Sequence, residues 1–378
     1  MISQGKDGQA GQGAARPLVS FCIKFFNHRK FCREALLAAF RQTYSPLEII
    51  VTDDGSTDGT ADVVTELIDE YVSSGGKHVV VKLFNETNIG ITKTSQRQFK
   101  AAKGELLIQA DGDDISFPDR VAKIVAAWEM DGRKVGYIIH DAIDINSSAT
   151  RILGIRRNAD PLIPLGAASA YSHRVVSDFS DIDVRYKTTS EDMIFSKRGM
   201  LVGGYLHVAE PLVYYRIGSG LTSHRGFVEN RMYATTAALD GVRQVRRDLD
   251  QSRKWQSVLD SNYLKLRRDA RCYAVRYYAE SQLYSARSFR RRWIAWKIYA
   301  RQRRMPLLSV NSLECALMGL PPFQWLRLLI GRILSTYWDV KRYVHLCAFT
   351  NGSICSQDVM RKEWAQKMQK GTSGFIFQ

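Results

Sequence analysis

Short apolar runs alternate with stretches of helical apolar spacing from residue 17 to residue 142. Runs of strand length predict buried β-strands at residues 17–26, 47–54, 78–84, 105–114 and 135–142. Between them, apolar residues recur every three or four positions and predict helices at residues 28–42, 58–74, 94–104 and 117–130. Strands that alternate with helices at this spacing favour an α/β fold, a mostly parallel sheet with helices on both faces.

The chain changes character after residue 226. Residues 227–304 have helical spacing, are dense in Arg, and are interleaved with Trp and Tyr, and residues 323–344 carry one apolar helical face. Residues 230–378 contain 27 Lys and Arg against 10 Asp and Glu, whereas residues 1–229 contain 27 against 28, so the whole net charge of +16 lies in the C-terminal part. The sequence therefore predicts a disordered tail at 1–16, an α/β domain at 17–226 and a helical basic domain at 227–378.

Cysteine usage and the N-terminus both bear on the compartment. The six cysteines form no C-x-x-C pair, so we expect reduced thiols rather than a disulfide or zinc framework. Residues 1–16 lack the apolar core of a signal peptide, and the longest weakly charged stretch, residues 305–326, is interrupted by prolines and polar residues. These features predict a cytoplasmic protein.

Aspartates follow two of the predicted strands at the point where each strand ends. Asp53 and Asp54 close the second strand, and Asp111, Asp113 and Asp114 close the fourth. Ligands of such sheets bind outside the carboxyl ends of the strands. Carboxylates gathered there suit Mg²⁺ or Mn²⁺, which take one or two side chains together with waters and substrate phosphates. The alternative is a solvated acidic turn.

Five sequence segments resemble the motifs of family 2 glycosyltransferases, which have the GT-A fold, and they occur in the same order and spacing. They are VSFCIKFFN, RQTYSPLEIIVTDDGSTDGT, NETNIG, AAKGELLIQADGDDISFPDR and SEDMIFSKR. The resemblance covers roughly residues 17–223. It implies a Rossmann-like GT-A domain that binds a nucleotide-sugar, followed here by the helical, basic C-terminal region.

The resemblance also implies the metal and nucleotide ligands. Asp53 and Asp54 would contact the base and ribose of the nucleotide-sugar, or serve only as a helix cap and turn. Asp111 and Asp113 match the family's D-x-D motif, with Asp113 as the main ligand of Mn²⁺ or Mg²⁺ and Asp114 in support. The remaining residues of the nucleotide-sugar site would be Lys24, Phe26, Asn88 and Arg97.

SEDMIFSKR resembles the motif that carries the catalytic base of the family. Asp192 would take the proton from the acceptor hydroxyl, and Glu191 would shape the acceptor pocket. A base on the face opposite the leaving group implies inversion at the anomeric carbon. Alternatively, Ser190 and the acidic residues after it form a helix capping box, which is compatible with the catalytic role.

Some positions depart from the family pattern. Lys24 stands where many relatives have Pro or Thr, and Ser95 and Gln96 stand where they often have Arg-Asn. Arg97 or Lys93 would then replace the arginine that contacts the diphosphate. The processive Q-x-x-R-W signature is absent, which favours transfer of one sugar per encounter.

A loop near residue 220 resembles the segment that closes the site in the family. Its sequence, YYRIGSGLTSH, offers Arg216, Ser219 and His224 as contacts of the diphosphate or the metal. His224 is the candidate metal ligand among them, although a lone His is more often structural.

The basic C-terminal region has three interpretations. Its tryptophans and basic residues are typical of a surface that docks on an anionic membrane, of a nucleic-acid-binding surface, or of solvated helix faces. No nucleic-acid-binding motif accompanies it. Because acceptors of the family are often lipid-linked saccharides, we favour docking at the cytoplasmic face of the inner membrane.

Together these features predict an inverting, metal-dependent glycosyltransferase of hexosyltransferase type. It would move a sugar from a nucleoside-diphosphate donor to a hydroxyl of a glycan or lipid-linked saccharide in polysaccharide biosynthesis. We favour a UDP-linked donor. The alternatives are a GT-A-fold scaffold attached to the membrane without turnover, and a nucleic-acid-binding protein.

Overall fold

A computed structural model describes residues 15–161, 164–182 and 191–219, and residues 241, 243–248, 250 and 268. Apolar runs form its strands because alternate side chains enter the two faces of a buried sheet. The strands are β1 (Val19–Phe25), β2 (Leu47–Asp53), β3 (Val79–Lys82), β4 (Leu106–Asp111), β5 (Ile115–Ser116), β6 (Tyr137–Ile145), β7 (Ile152–Arg156), β8 (Ser169–Ser172) and β9 (Tyr205–Arg216).

The strands form one sheet in the order β3-β2-β1-β4-β8-β6-β9-β5, with β7 paired to β6. The first four are parallel, as the alternation of strands and helices predicts. β6 does not pair with β4, because the short strand β8 lies between them and is antiparallel to both. β6 and β9 are again parallel. The sheet is therefore parallel from β3 to β4 and mixed beyond β4.

Helices cover both faces of the sheet, in agreement with the prediction. They are α1 (Cys32–Phe40), α2 (Thr60–Ser73), α3 (Ile91–Ala101), α4 (Arg120–Met130), α5 (Arg174–Ser177) and α6 (Glu191–Gly203). Leu36 of α1, Leu67 of α2 and Ile124 of α4 pack on one face in a single buried cluster. Phe99 of α3 and Phe195 of α6 pack on the other face. Each fully buried Leu, Ile or Phe contributes about 1.5–3 kcal/mol to folding.

Residues 243–248 are helical, and those of them that are buried pack near α6, where Asp248 pairs with Arg198. Most of the helical region predicted beyond residue 226, and residues 1–14 of the tail predicted at 1–16, lie outside the described residues. Among the residues described, no helix has the length and apolar character needed to cross a bilayer. The domain boundary at residue 226 stays a prediction.

Candidate functional site

The carboxyl ends of three neighbouring strands bring the predicted site residues together. β1 lies between β2 and β4, and its register places Lys24 beside Asp111 of β4 and Phe25 beside Asp53 of β2. The acidic turn at residues 111–114 follows β4 directly. The edge predicted from the ends of the apolar runs is thus one continuous surface built by β1, β2 and β4.

The turn at residues 111–114 draws two buried carboxylates close together. The Ser219 hydroxyl donates to Asp113 Oδ2 at 2.8 Å, and the Arg216 backbone N–H donates to Asp114 Oδ1 at 2.7 Å. Burial raises the pKa of Asp113, and the charge of Asp111 adds to this effect, while His28 and the Ser219 hydroxyl oppose it. Burial and the charges of Asp113 and Asp111 also raise the pKa of Asp114, whose buried Oδ2 accepts no hydrogen bond. Burial and mutual repulsion therefore disfavour the charged forms of both carboxylates.

Two buried arginines brace the turn and the end of β4. Arg216 donates to Asp113 O at 2.7 Å and to Glu34 Oε2 at 2.6 Å, and its guanidinium lies 4.7 Å from the ring centroid of Phe31. Arg120 donates to Gln109 O of β4 at 2.7 Å. Burial lowers the pKa of Arg120, although Asp114 and Asp111 counter this, and the guanidinium stays protonated at neutral pH. Arg216 thus braces the backbone of the turn.

Gly112 is required by the close packing of the turn against β1. A Cβ atom at this position would lie 2.2 Å from Cδ1 of Phe25 and 2.7 Å from the carbonyl oxygen of Lys24. Any side chain would push the turn away from β1 and separate Asp111 and Asp113 from Lys24. The glycine of the D-x-D segment therefore fixes the position of its two aspartates.

Lys24 joins the acidic turn to the start of α6. Its Nζ lies 3.2 Å from Asp111 Oδ1 and donates a hydrogen bond of 3.0 Å to Glu191 Oε1. Gln109 Nε2 donates to the same glutamate oxygen at 3.3 Å. Burial by itself would lower the pKa of Lys24, but Asp111 and Glu191 outweigh it and raise this pKa. The ammonium is therefore charged and set between two carboxylates.

The N-terminus of α6 presents Glu191 and Asp192 in succession. Glu191 is buried against Lys24, whereas Asp192 is half-buried and its Oδ1 accepts from the Met193 backbone N–H at 2.8 Å. A Cβ atom built on Gly166 would stand 3.5 Å from Asp192 Oδ2 and 2.7 Å from Gln109 Nε2, so the short 3₁₀ turn at Gly166–Ala168 packs closely against both side chains. Burial lowers the pKa of Lys197 to about 8, against the opposing charges of Asp192 and Asp160.

Asp53 and Asp54 shape the loops beside the acidic turn. Asp53 accepts from Ser56, through the backbone N–H at 2.9 Å and the hydroxyl at 2.6 Å. Asp54 accepts from Asn85 Nδ2 at 2.8 Å and from the backbone N–H groups of Ile89 and Gly90 at 3.0 and 3.1 Å. The turn role that the sequence offered as an alternative is therefore present, and it organises both loops around the mouth of the site.

The remaining predicted residues lie at the rim or outside the described part of the chain. Phe26 is half-buried just after β1, and Asn88 is exposed on the loop before α3. Arg97 is exposed and donates to Phe84 O at 3.3 Å and to the Asn85 side chain, so its guanidinium faces the β3 loop. His224 and Ser190 lie outside the described residues.

Within the described ranges, no three His, Cys, Asp or Glu side chains form a complete metal cage. Mg²⁺ and Mn²⁺ sites usually take one or two carboxylates together with waters and substrate phosphates. The repulsion between Asp111, Asp113 and Asp114 and the orphaned Asp114 Oδ2 fit a site that gains a cation together with its substrate.

Comparison with known proteins agrees with this arrangement. Residues 20–161, which carry β1, the paired aspartates and the whole acidic turn, match the sequence profile of the family described as "Glycosyl transferase family 2". Residues 20–161 are a domain of glycosyltransferase family 2. The matched residues are less than half of the chain and end before α6, so the match rests on the strands and turns of the N-terminal half.

Relatives and a solved structure extend the match. An uncharacterized glycosyltransferase of Nostoc sp. is 27% identical over an alignment of 222 residues that covers 54% of this chain and 66% of that protein. The putative glycosyltransferase EpsE of Bacillus subtilis is 32% identical over 114 residues, or 30% of this chain and 39% of that protein. The chain thus spans less than two thirds of the length of these relatives. A mannosyltransferase from Pyrobaculum calidifontis has a TM-score of 0.50 at 16% identity, covering 89% of this chain and 87% of that chain, which supports the GT-A fold.

Sequence reasoning missed three buried side chains that support the elements around this site. Gln109 contacts Glu191, Arg120 donates to Ser116 and to Gln109 O at the end of β4, and Asp248 contacts Arg198 of α6. Gln109 left one usable signal, because it is the single polar residue in the apolar run LLIQA. Arg120 and Asp248 resemble ordinary surface residues of amphipathic helices, so no local pattern marks them as buried.

Proposed function

We propose that this chain is an inverting, metal-dependent glycosyltransferase. It transfers a sugar from a nucleoside-diphosphate donor to a hydroxyl of a glycan or a lipid-linked saccharide. The observation that carries this proposal is the Lys24 contact, which joins the metal-ligand candidate Asp111 to Glu191, the neighbour of the candidate base Asp192. Donor chemistry and acceptor chemistry therefore meet at one place.

The donor would lie on the edge formed by β1, β2 and β4. The loops that Asp53 and Asp54 organise, with Phe26 and Asn88 at their rim, would hold the base and ribose. Lys24 is a buried cation beside Asp111, whereas Arg97 is exposed and donates to the β3 loop. We therefore assign the diphosphate contact to Lys24 rather than Arg97. The Pyrobaculum mannosyltransferase was solved with GDP-Man and Mn²⁺, so both UDP- and GDP-linked sugars belong in a donor screen, with UDP the nucleotide favoured by the sequence.

Asp113 and Asp111 would hold Mn²⁺ or Mg²⁺, with Asp114 in support and His224 as a further candidate ligand. A divalent ion there would neutralise charge on the departing nucleoside diphosphate. The raised pKa values of Asp113 and Asp114 support this role, because buried carboxylates that repel one another gain from a bound cation.

Asp192 would act as the general base. Its carboxylate accepts the proton of the acceptor hydroxyl while that oxygen forms a new bond to the anomeric carbon. The bond from the anomeric carbon to the diphosphate oxygen breaks, and the nucleoside diphosphate leaves with the electron pair. Because attack and departure are in line, the configuration inverts. Glu191 is held by Lys24 and Gln109 and would fix the wall of the acceptor pocket.

The test compares Asp192→Asn with the wild type and with Asp181→Asn, a control at an exposed aspartate paired with Lys100. UDP- and GDP-sugars are first screened by thermal shift with Mn²⁺ or Mg²⁺, since a ligand of the folded state raises its stability. Calorimetry then gives donor affinity, and nucleoside-diphosphate release gives turnover. We expect Asp192→Asn to keep donor affinity and lose about 10²–10⁴-fold in turnover.

Two outcomes would contradict the proposal. An active Asp192→Asn variant would show that the base lies elsewhere. A wild-type protein that binds a donor but releases no nucleoside diphosphate with any acceptor would favour the scaffold alternative. The Asp181→Asn control should match the wild type in both measurements.

We also propose that the basic region at residues 227–378 docks on an anionic membrane surface. Its net charge and its tryptophans support this, since each basic residue near such a surface contributes about 1 kcal/mol. Co-sedimentation with phosphatidylglycerol vesicles, but not with phosphatidylcholine vesicles, is the expected result. Equal binding to both vesicles, or binding to nucleic acid alone, would contradict it.

A further inference from the structure

A buried ion pair connects α6 to a segment far along the chain. Arg198 donates from Nε to Asp248 Oδ2 and from Nη2 to Asp248 Oδ1, both at 2.8 Å. The side chains are 1% and 0% exposed, and Gln244 Nε2 also donates to Asp248 Oδ1 at 2.8 Å. This two-pronged geometry fixes direction as well as distance, because the planar guanidinium matches the carboxylate in one orientation.

Arg198 also ties the neighbouring chain to the same point. Its Nη1 donates to Val175 O at 3.2 Å and its Nη2 to Ser180 O at 2.8 Å, while the guanidinium lies 4.9 Å from the ring centroid of Phe179. The segment that carries Asp248 also packs against α6 at Gly241, where a Cβ atom would lie 3.2 Å from Cδ and Cε of Lys197. Two consecutive residues of α6 are therefore held by residues 241–248.

Close packing sets how near α6 approaches the sheet. A Cβ atom at Gly199 would lie 2.6 Å from the carbonyl oxygen of Gly136, just before β6. Directional bonds hold the helix at two places: Glu191 at its start accepts from Lys24 and Gln109, and Arg198 pairs with Asp248. The first restrains the start of α6, and the second restrains the turns that follow it.

We propose that Asp248 is a positioning residue for the transfer reaction: through Arg198 it fixes the rotation of α6 and so the placement of the Asp192 carboxylate. The proposal rests on the proposed function. Arg198 follows Asp192 by six residues, roughly 9 Å along one helix, so a rotation of α6 at Arg198 is carried to its N-terminus. A displacement of about 1 Å at a catalytic group lowers the rate by about 100-fold.

A buried ion pair contributes little net stability relative to well-packed apolar residues, but its hydrogen bonds have a fixed direction that apolar contacts lack. This difference makes the proposal testable apart from folding. A change that keeps α6 folded but removes the directional bonds should lower turnover, and it should leave the donor site on β1, β2 and β4 intact.

The experiment uses the full chain with three variants. Asp248→Asn keeps the shape and removes the charge, and Asp250→Asn is the matched control, since Asp250 lies in the same segment in an exposed pair with Arg246. The double variant Arg198→Met with Asp248→Leu replaces the pair by apolar side chains and restores packing without directional bonds. Donor affinity, nucleoside-diphosphate release and hydrogen exchange of the α6 amides are measured for each.

For Asp248→Asn and the double variant we expect turnover lower by at least about tenfold, unchanged donor affinity and faster exchange across α6. Asp250→Asn should behave as the wild type. The proposal is overturned if Asp248→Asn keeps wild-type turnover, if turnover and donor affinity fall together, or if the double variant regains full turnover. If Asp248→Asn does not fold, the turnover of the double variant tests the proposal in its place. Hydrogen exchange reports on α6 even if the protein turns over no donor. Failure of the positioning role of Asp248 can therefore be told apart from failure of the proposed function.

Discussion

The ammonium of Lys24 lies 3.0 Å from Oε1 of Glu191, although 167 residues separate them in the sequence. The contact joins the end of β1 to the start of α6, and its other partner is Asp111 at the end of β4. One cation therefore holds two carboxylates from different parts of the fold. If Lys24 were removed, the buried Glu191 carboxylate would keep the hydrogen bond from the Gln109 amide but would lose its cation.

Lys24→Met should lower the free energy of unfolding by about 3 kcal/mol, because removal of one partner leaves a buried carboxylate uncompensated. Urea unfolding measures the change. Lys82→Met is the matched control, since its ammonium lies 3.9 Å from Asp69 at the surface, and it should change stability by less than about 0.5 kcal/mol. Adding Glu191→Gln to Lys24→Met should recover part of the loss. A Lys24→Met variant as stable as the Lys82→Met control would show that Glu191 does not depend on the lysine.

Asp113→Ala should weaken Mn²⁺-dependent binding of a nucleoside diphosphate by at least about tenfold. Without metal the same variant should be as stable as the wild type or more so, because burial and Asp111 raise the pKa of Asp113 and penalise its charged form. Calorimetry with Mn²⁺ and with EDTA, together with thermal unfolding, checks both. Glu66→Ala, at an exposed position of α2, is the control. Unchanged Mn²⁺-dependent affinity in Asp113→Ala would remove Asp113 from the metal site.

The sequence predicted the local elements well and the connections between them less well. The five predicted strands and four predicted helices between residues 17 and 142 are all present, with ends within a few residues, because strong apolar periodicity marks each of them. The strand that separates β4 from β6 was missed. It is Ser169–Ser172, only four residues long, and its sequence SAYS has no apolar alternation.

In the site, too, features set by neighbouring residues in the sequence were predicted, and contacts between distant residues were not. The acidic ends of β2 and β4 were predicted because each lies directly after an apolar run. The Lys24–Glu191 and Arg198–Asp248 contacts were not, since they join residues 167 and 50 positions apart and depend on how the helices dock. Ser219 was suggested as a contact of the site, and it is bonded to Asp113 itself.

Gly112→Ala should lower the free energy of unfolding by about 1–3 kcal/mol, because the added Cβ overlaps Phe25 and the Lys24 carbonyl. It should also weaken metal-dependent nucleotide binding, since the turn must move away from β1. Gly75→Ala is a control that separates loss of stability from loss of nucleotide binding. Gly75 has a φ of +76° and open space around its Cα, so its substitution should cost about 1 kcal/mol of stability through backbone strain and leave nucleotide binding unchanged. Equal affinity in the two variants would contradict the packing argument.

The stability of the protein should fall in mild acid through His140. His140 is on β6, which lies between β8 and β9 in the sheet; its side chain is fully buried, and its Nδ1 lies 2.7 Å from Asp141 O. Burial lowers its pKa well below the usual value, and the nearby charges of Arg120 and His207 add to this, while the bond to Asp141 O opposes it. The unfolded chain therefore binds a proton below about pH 6.5 that the folded chain excludes. Stability contributed by the neutral ring is present above that pH and is lost as the pH falls.

His140→Asn removes this titration. The difference in unfolding free energy between the wild type and His140→Asn should shrink by about 1 kcal/mol between about pH 7.5 and about pH 5.5. Urea unfolding across this range measures it, and the comparison cancels groups that both proteins share. The variant is expected to be less stable at neutral pH, because asparagine leaves a cavity at a buried site. A difference that stays constant with pH would mean that the folded protein takes up the proton as readily as the unfolded chain, and that the ring is not excluded from water.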